Sequence, residues 1–510
     1  MSVPEVDPSF LALPFRRLAD VALRRATDLG ATHADFRFER VRYQDLNVRD
    51  GSLLGTRDSS DVGFAVRVVH GGAWGFASGV VLTDDEARHV ADRAVEVARV
   101  AAAMTRVPVE LAPEPTYDDV TWVSSYAVNP LEVPVADKVA VLVDLTERLR
   151  AHAAVEHATA SLQQVVENKF YADSSGTRTT QQRVRLQPGL TAMGSDATTG
   201  VFDSMTSIAP PVGRGWEYLA SPVAEGGWDW DAEVAELPEL LAEKLRAPSV
   251  EAGTYDLVIH PSNLWLTIHE SIGHATELDR ALGYEANYAG TSFATYDGLG
   301  SLRYGSPVMN VTGDRTVEHG LATIGYDDEG VATQQWDIVK DGVLVGYQLD
   351  RVMGHQRPEL NGGRSNGCAY ADSPGHIPIQ RMANVSLQPA PDGPSTDELI
   401  GRVERGLYVV GDKSWSIDMQ RYNFQFTGQR FYRIEDGRLA GQVRDVAYQA
   451  TTTDFWGSME AVGGPETYVL GGAFNCGKAQ PGQVASVSHG CPTALFRGVR
   501  ILNTNEEAGK

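Results

Sequence analysis

Apolar residues recur along this chain with two periods, one helical and one of two, and the change from one to the other marks out its elements. Residues 15–29, from Phe15 to Leu29, carry apolar side chains at helical spacing and stop at Gly30, so they read as an amphipathic helix ended by glycine. The period then drops to two over Ala34–Val41, Gln44–Val48, Gly63–Val69 and Ala73–Ser78. Turn pairs stand at Asp50-Gly51 and Gly71-Gly72, and together these segments predict an antiparallel meander. A second helix is expected from Thr83 to about Ala103, because the Thr83 hydroxyl can cap it and Asp84, Asp85 and Glu86 suit its first turn. The Pro-rich residues 105–134 read as a wrap over the surface. A helix near Val135–His152, strands at Val155–Glu167 and Arg178–Leu186, and an acidic helix at Asp229–Leu245 complete this half.

Beyond Ala247-Pro248-Ser249 the character changes to glycine-rich segments with little helix and repeated hairpins, two of them turning at Asp341-Gly342 and Asp436-Gly437. A strand at Leu257–His260 leads into a helix at Ser262, whose hydroxyl is the expected N-cap. The fold class predicted is α+β: an N-terminal α/β region with an antiparallel sheet, then a curved, mostly antiparallel β domain around that helix. The domains expected are residues 1–246, with subdomains of about 1–125 and 126–246, and residues 247–510.

With 510 residues, 42% hydrophobic and 22% charged, the chain can bury a sizeable core. A net charge of −23 with no Lys/Arg cluster argues against direct nucleic-acid contact, which needs local positive charge. No apolar run is long enough to span a membrane, and Met1–Pro8 lacks the basic and apolar regions of a secretory signal. Three cysteines, Cys368, Cys476 and Cys491, make no disulfide framework and suit a reducing compartment, so a cytoplasmic location is expected.

The chemistry concentrates in His269-Glu270-Ser271-Ile272-Gly273-His274, which follows the apolar run Asn263–Ile268. Neutral imidazoles are common zinc ligands, and an adjacent glutamate can act as general base. Yet the histidines stand at i and i+5, not at the i and i+4 of the usual metallopeptidase helix. At 100° per residue a regular α-helix would part them by about 140°. Either the helix bulges or His274 lies where it breaks, and Gly273 can allow both. On the motif alone, a simple i,i+4 pair between Glu270 and His274 stays open beside metal binding.

A third ligand would decide between them, and any of the three cysteines is a candidate. Cys476 lies in the glycine-rich stretch Gly471–Lys478, read as a turn that leaves its sulfur accessible, with Lys478 favouring the thiolate. Spacing does not rank it above Cys368 or Cys491. Glu277 and Asp279 either accept hydrogen bonds that orient the histidines or are solvated acids. Asp327-Asp328-Glu329-Gly330 lacks calcium-loop spacing and reads as an acidic turn. His489 beside Cys491 makes a weak case for a thiol hydrolase, since no third group orients the pair.

The stretch from His269 to Asp279 resembles the H-E-x-x-G-H-x-x-E-x-D segment of the TldD/PmbA metallopeptidases. Cys476-Gly477-Lys478-Ala479-Gln480-Pro481-Gly482 and Val487–Pro492 resemble that family's closing segment. The resemblance implies zinc held by His269, His274 and Cys476, with Glu270 as the catalytic base. It also implies a catalytic TldD-type member rather than the PmbA (TldE) type, which lacks the motif. Unfolded or small, modified peptides are the substrates implied, and a dimer, a heterodimer with a PmbA/TldE-type paralogue, is the assembly. The alternative from another class is a non-catalytic peptide-binding scaffold, which would have no need of Glu270.

Overall fold

The computed structural model describes residues 5–478 and 482–507. The expected first helix spans Phe15–Asp28 (α1), and the meander is built of β1 (His33–Arg49), β2 (Ser52–His70) and β3 (Ala73–Gly79). Asp50 and Gly51 both adopt positive φ (53° and 77°), the conformation that a two-residue hairpin requires. The two short strands expected at Ala34–Val41 and Gln44–Val48 are one continuous strand. Arg42 and Tyr43, which part them in the sequence, are half-buried and exposed but stay in register with Ser60 and Ser59 of β2. Helix α2 (Asp84–Ala102) begins as expected, with the Thr83 hydroxyl accepting from the Glu86 amide at 3.3 Å.

The Pro-rich segment does more than wrap the surface: its residues Val120–Val123 (β4) join the sheet parallel to β6 (Arg178–Ser195). Helix α3 (Val135–Arg150) packs against β5 (His157–Asp173), and β7 (Phe202–Thr206) and α4 (Trp230–Arg246) complete this half. The strands form one seven-stranded sheet in the order β3-β2-β1-β5-β6-β4, with β7 also on β6.

The C-terminal half is organised around a closed sheet. Strands β8 (Gly253–Ile259), β9 (Arg405–Ile417), β10 (Asn423–Glu435), β11 (Val446–Thr451) and, last in the chain, Ala494–Asn503 pair into a ring. Its order is β9, β8, 494–503, β11, β10 and back to β9. All the pairings are antiparallel except β8 with β9. The chain is therefore α+β, with a barrel-like C-terminal sheet.

Helix α5 (Pro261–Ile268) packs against β9 and against a hairpin of β12 (Val469–Lys478) and β13 (Gln483–Cys491). Its apolar side chains Leu264, Leu266 and Ile268 enter the core with Phe424, Phe426 and Tyr448. Its polar side chains are bonded: Asn263 Nδ2 donates to the Gly411 and Thr427 carbonyls at 3.0 Å, and the Tyr448 hydroxyl donates to Asn263 Oδ1 at 2.8 Å. The expected cap is corrected. Pro261 takes the first helical position and the His260 ring accepts from the Ser262 amide, while the Ser262 hydroxyl accepts from the Gly411 amide and ties the helix to β9.

Candidate metal centre

The wide histidine spacing is met by a change of helix type. Regular α-helix ends at Ile268, and His269–Gly273 form one π-helical turn, in which the His274 amide donates to the His269 carbonyl itself. A π turn stacks residues five apart, so both imidazoles come to one face with ring centroids 4.8 Å apart. Side chains hold the widened turn. Gln348 Nε2 donates to the Gly273 carbonyl at 2.7 Å, and Trp456 Nε1 donates to Ser271 Oγ at 2.9 Å. Gly273 has an ordinary helical φ of −53°. Its role is room: a Cβ there would come within 2.6 Å of Met382 Sδ and 3.4 Å of His489 Cε1.

Cys476 completes the cluster. One donor atom from each of His269, His274 and Cys476 lies within 4.8 Å of the others, and all three residues are buried. Cys476 is on strand β12 and not in an open turn, with its sulfur 3.5 Å from His274 Nε2. The pairing of β12 with β13 slips between Ala473 and Cys476, and such a slip re-aims a side chain. The cation at the sulfur is Arg381, whose Nη2 stands 3.3 Å from Sγ, and not Lys478. Burial would raise the thiol pKa, but His274, His269 and Arg381 outweigh it and hold the group well below the usual thiol range, as thiolate.

Neighbouring bonds orient both imidazoles. His489 Nδ1 donates to the Val385 carbonyl at 2.8 Å, so its Nε2 is bare and accepts from His269 Nδ1 at 2.8 Å. In its neutral form, the one that ligates a metal, His269 therefore presents its Nε2 lone pair. Glu277 Oε2 takes His274 Nδ1 at 3.0 Å, which leaves Nε2 of that ring facing the sulfur. A soft thiolate and two converging, oriented imidazoles, which give up their Nε2 protons as a metal binds, are a donor set that fits zinc. Glu277 is fully buried, and Lys478, His274 and Arg280 overcome the effect of burial to hold it as a carboxylate. Asp279 touches neither histidine; it pairs with Lys478 Nζ at 2.8 Å, and Lys478 in turn reaches Glu277 at 3.3 Å. Both acids are paired, Glu277 fully buried and Asp279 mostly so.

Glu270 points beside this cluster and is ion-paired with Arg421 through Oε2. Burial would raise its pKa, but His269, His274 and Arg421 together lower it, so Glu270 is a carboxylate at neutral pH. A groove of about 340 Å³ adjoins the cluster, lined by Pro188, Trp265, Asp412, Trp415, Gly471 and Gly472 among others. Trp265 lies one helical turn before His269 and stacks on His489 at 6.4 Å, so groove and cluster share a wall.

Of the other sequence candidates only His489 joins this arrangement, through His269. Cys368 is buried beside Arg315 with its thiol pushed up to about 11, and Cys491 Sγ lies against the Pro261 carbonyl. His489 spends both nitrogens on Val385 and His269, which removes it as the partner of a Cys491 nucleophile. Asp327–Glu329 form the expected acidic turn, with its charges buried and paired: Asp328 with Lys169 at 2.8 Å and Glu329 with Arg67 at 2.9 Å. Ala479–Pro481 of the closing segment lie outside the described residues. Arg381 and Arg421 have no signal in the sequence, which offers His489 only as a partner of Cys491 and not of His269. His489 alone carried a signal, through its place in the Val487–Pro492 stretch.

Residues 252–503 match the model of the PmbA/TldA metallopeptidase C-terminal domain, and residues 34–98 match that of PmbA/TldA metallopeptidase domain 1. The chain is 25% identical to a metalloprotease TldD homolog of Haemophilus influenzae, over 93% of each chain. It is 22% identical to a zinc metalloprotease TldD homolog of Saccharolobus solfataricus, over 94% of this chain and 98% of the other. The TldE of Thermococcus kodakarensis has a similar fold, with a TM-score of 0.68 at 16% identity over 95% of this chain and 99% of that one.

Proposed function

Since the chain belongs to the TldD/PmbA metallopeptidase family, we propose that it is a zinc peptidase of the TldD type, acting on unfolded or small peptides. The observation that carries this reading is the buried His269–His274–Cys476 donor set with a carboxylate, Glu270, beside it. The three donors would hold zinc, which when bound supplies a Lewis acid that polarises a peptide carbonyl and makes water more acidic. Glu270 takes the proton of the attacking water and passes it to the leaving amine as the C–N bond breaks. Glu277, fixed by Lys478, keeps His274 in one tautomer, and the chain Val385–His489 does the same for His269.

The groove supports an extended peptide as substrate. One of its walls is the β12 edge around Gly471 and Gly472, and a strand laid there would be recognised through its main chain, with little dependence on sequence. The partner we propose is a PmbA/TldE-type paralogue, a reading supported by the fold this chain shares with a TldE. The three cysteines are free, which suits the cytoplasm.

Metal analysis tests the assignment. Wild-type protein is expected to carry about one zinc per chain, and His269→Ala, His274→Ala and Cys476→Ser each to lose most of it, since each removes one of three protein bonds. Glu270→Gln is expected to keep its zinc and lose peptide cleavage by roughly a hundredfold or more, as measured on an unstructured peptide. Full zinc in Cys476→Ser, or normal turnover in Glu270→Gln, overturns the corresponding role.

A further inference from the structure

Arg421 has no place in the mechanism above, yet the structure invests in its position. Eight described residues other than glycine have positive φ, and seven of them are Asp, Asn or His, the types that tolerate it; the eighth is Arg421, at 64°. A residue held in that region is maintained by its surroundings, and such strain gathers at working sites. The surroundings here are explicit. Asp418 accepts from the Gln420, Tyr422 and Asn423 amides at 3.1, 2.8 and 3.0 Å, and its own carbonyl accepts from the Arg421 amide at 3.0 Å. The Thr452 hydroxyl donates to the Arg421 carbonyl at 2.7 Å. The turn between β9 and β10 is thereby locked in the one shape that sends the guanidinium inward.

Inside, the guanidinium pairs with Glu270, the residue next to His269, and its side chain is 17% exposed. Among the described residues Nη1 alone is bonded, to Glu270 Oε2, while Nε is buried and has no partner. Arginine offers five N–H donors in a rigid fork, and a structural ion pair with Glu270 would use one or two of them.

On the reading of the site as a peptidase, we infer that Arg421 is a further catalytic residue, the donor that receives the scissile carbonyl oxygen as it becomes an oxyanion. The water oxygen bonds to the carbonyl carbon and the C=O π pair moves onto oxygen, where a guanidinium N–H meets the new charge. Glu270 holds the water's proton until the pair returns, the C–N bond breaks and the amine takes that proton. One fork thus touches both the base and the oxygen that the base's reaction charges. A donor of this kind works in the transition state more than on the bound substrate.

The test compares Arg421→Met and Arg421→Lys with wild type in zinc content, thermal melting, kcat and KM on an unstructured peptide, and Kd for a phosphinic pseudopeptide. That probe mimics the tetrahedral anion and reads the oxyanion contact without turnover. Arg421→Met is expected to keep zinc and KM, to lose about 10²–10³ in kcat, and to bind the phosphinic probe more weakly by a similar factor. Arg421→Lys keeps the charge without the fork and is expected to recover part of both. A changed melting temperature with kcat and probe affinity intact in both variants would leave Arg421 only a neutralising partner of Glu270 and overturn the inference. Wild-type protein without zinc and without cleavage would sink the peptidase reading itself, a result distinct from cleavage that ignores Arg421.

Discussion

At the scale of single residues the candidate centre is a set of hydrogen bonds that assign protons. Glu277 fixes the tautomer of His274, and its charge is balanced by Lys478 and Arg280. Glu277→Gln keeps an acceptor for Nδ1 but removes the charge that makes the imidazole a stronger ligand. We expect zinc affinity to fall about 10–100-fold, measured by competition with a chromogenic chelator, while the fold is retained. Unchanged affinity would make Glu277 a partner of Lys478 alone. The residues legible in the sequence were those of one local segment, His269, Glu270, His274 and Glu277, together with Cys476 by resemblance. Arg381 and Arg421 were not legible: they touch Cys476 and Glu270 across 95 and 151 residues, and nothing in their neighbourhoods points to the contact.

At the scale of elements the π turn is what converts an unusual spacing into a converging pair. The i,i+5 interval excluded a regular helix, so a bulge or a break was foreseeable from the sequence; which of the two occurs depends on Gln348 and Trp456, far along the chain. Gly273→Ala tests the space argument. Its Cβ would press on Met382 at 2.6 Å, and such overpacking costs about 1–3 kcal/mol. We expect a lower melting temperature and reduced zinc content, with both recovered when Met382→Ala is added. Wild-type melting in Gly273→Ala alone would mean that the turn yields freely. The misjudged elements share one cause. Apolar periodicity fails where a strand runs on through positions that are not buried, as at Arg42 and Tyr43 of β1, or where a Pro-rich segment conceals a parallel edge strand, as at β4.

At the scale of the whole molecule the two halves meet through buried charge. Lys169 on β5 bonds Asp328 at 2.8 Å and the Ala371 carbonyl at 2.9 Å, and it pairs with Glu39 at 3.3 Å, while Arg67 reaches Glu329 at 2.9 Å. Lys169→Met strands the buried carboxylate of Asp328, while Glu39 keeps Arg37, and is expected to cost about 3–5 kcal/mol, read by denaturant unfolding. In the same layer burial would raise the pKa of Glu167, but Arg183, Lys169 and Arg185 hold it well below the usual range. Its stabilisation is complete above the unfolded carboxyl pKa of about 4.5 and is lost as pH falls through the depressed value. Thermal melts from pH 7 into acid should therefore fall less steeply in Glu167→Gln; an identical acid limb would remove Glu167 as a source. No helix among the described residues is long and apolar enough to cross a membrane. The glycine-rich C-terminal half was legible as hairpins, but its closure into a ring rests on the long-range pairing of β8 with β9 and with the last strand, which no local pattern announces. One arrangement reaches back to how the protein is made. His274 and Cys476 are 202 residues apart, so at about 5–20 residues per second a ribosome adds the sulfur roughly 10–40 s after the imidazoles. Until then the nascent chain holds half a site, and an unfinished polypeptide has no competent centre with which to cut itself or its neighbours.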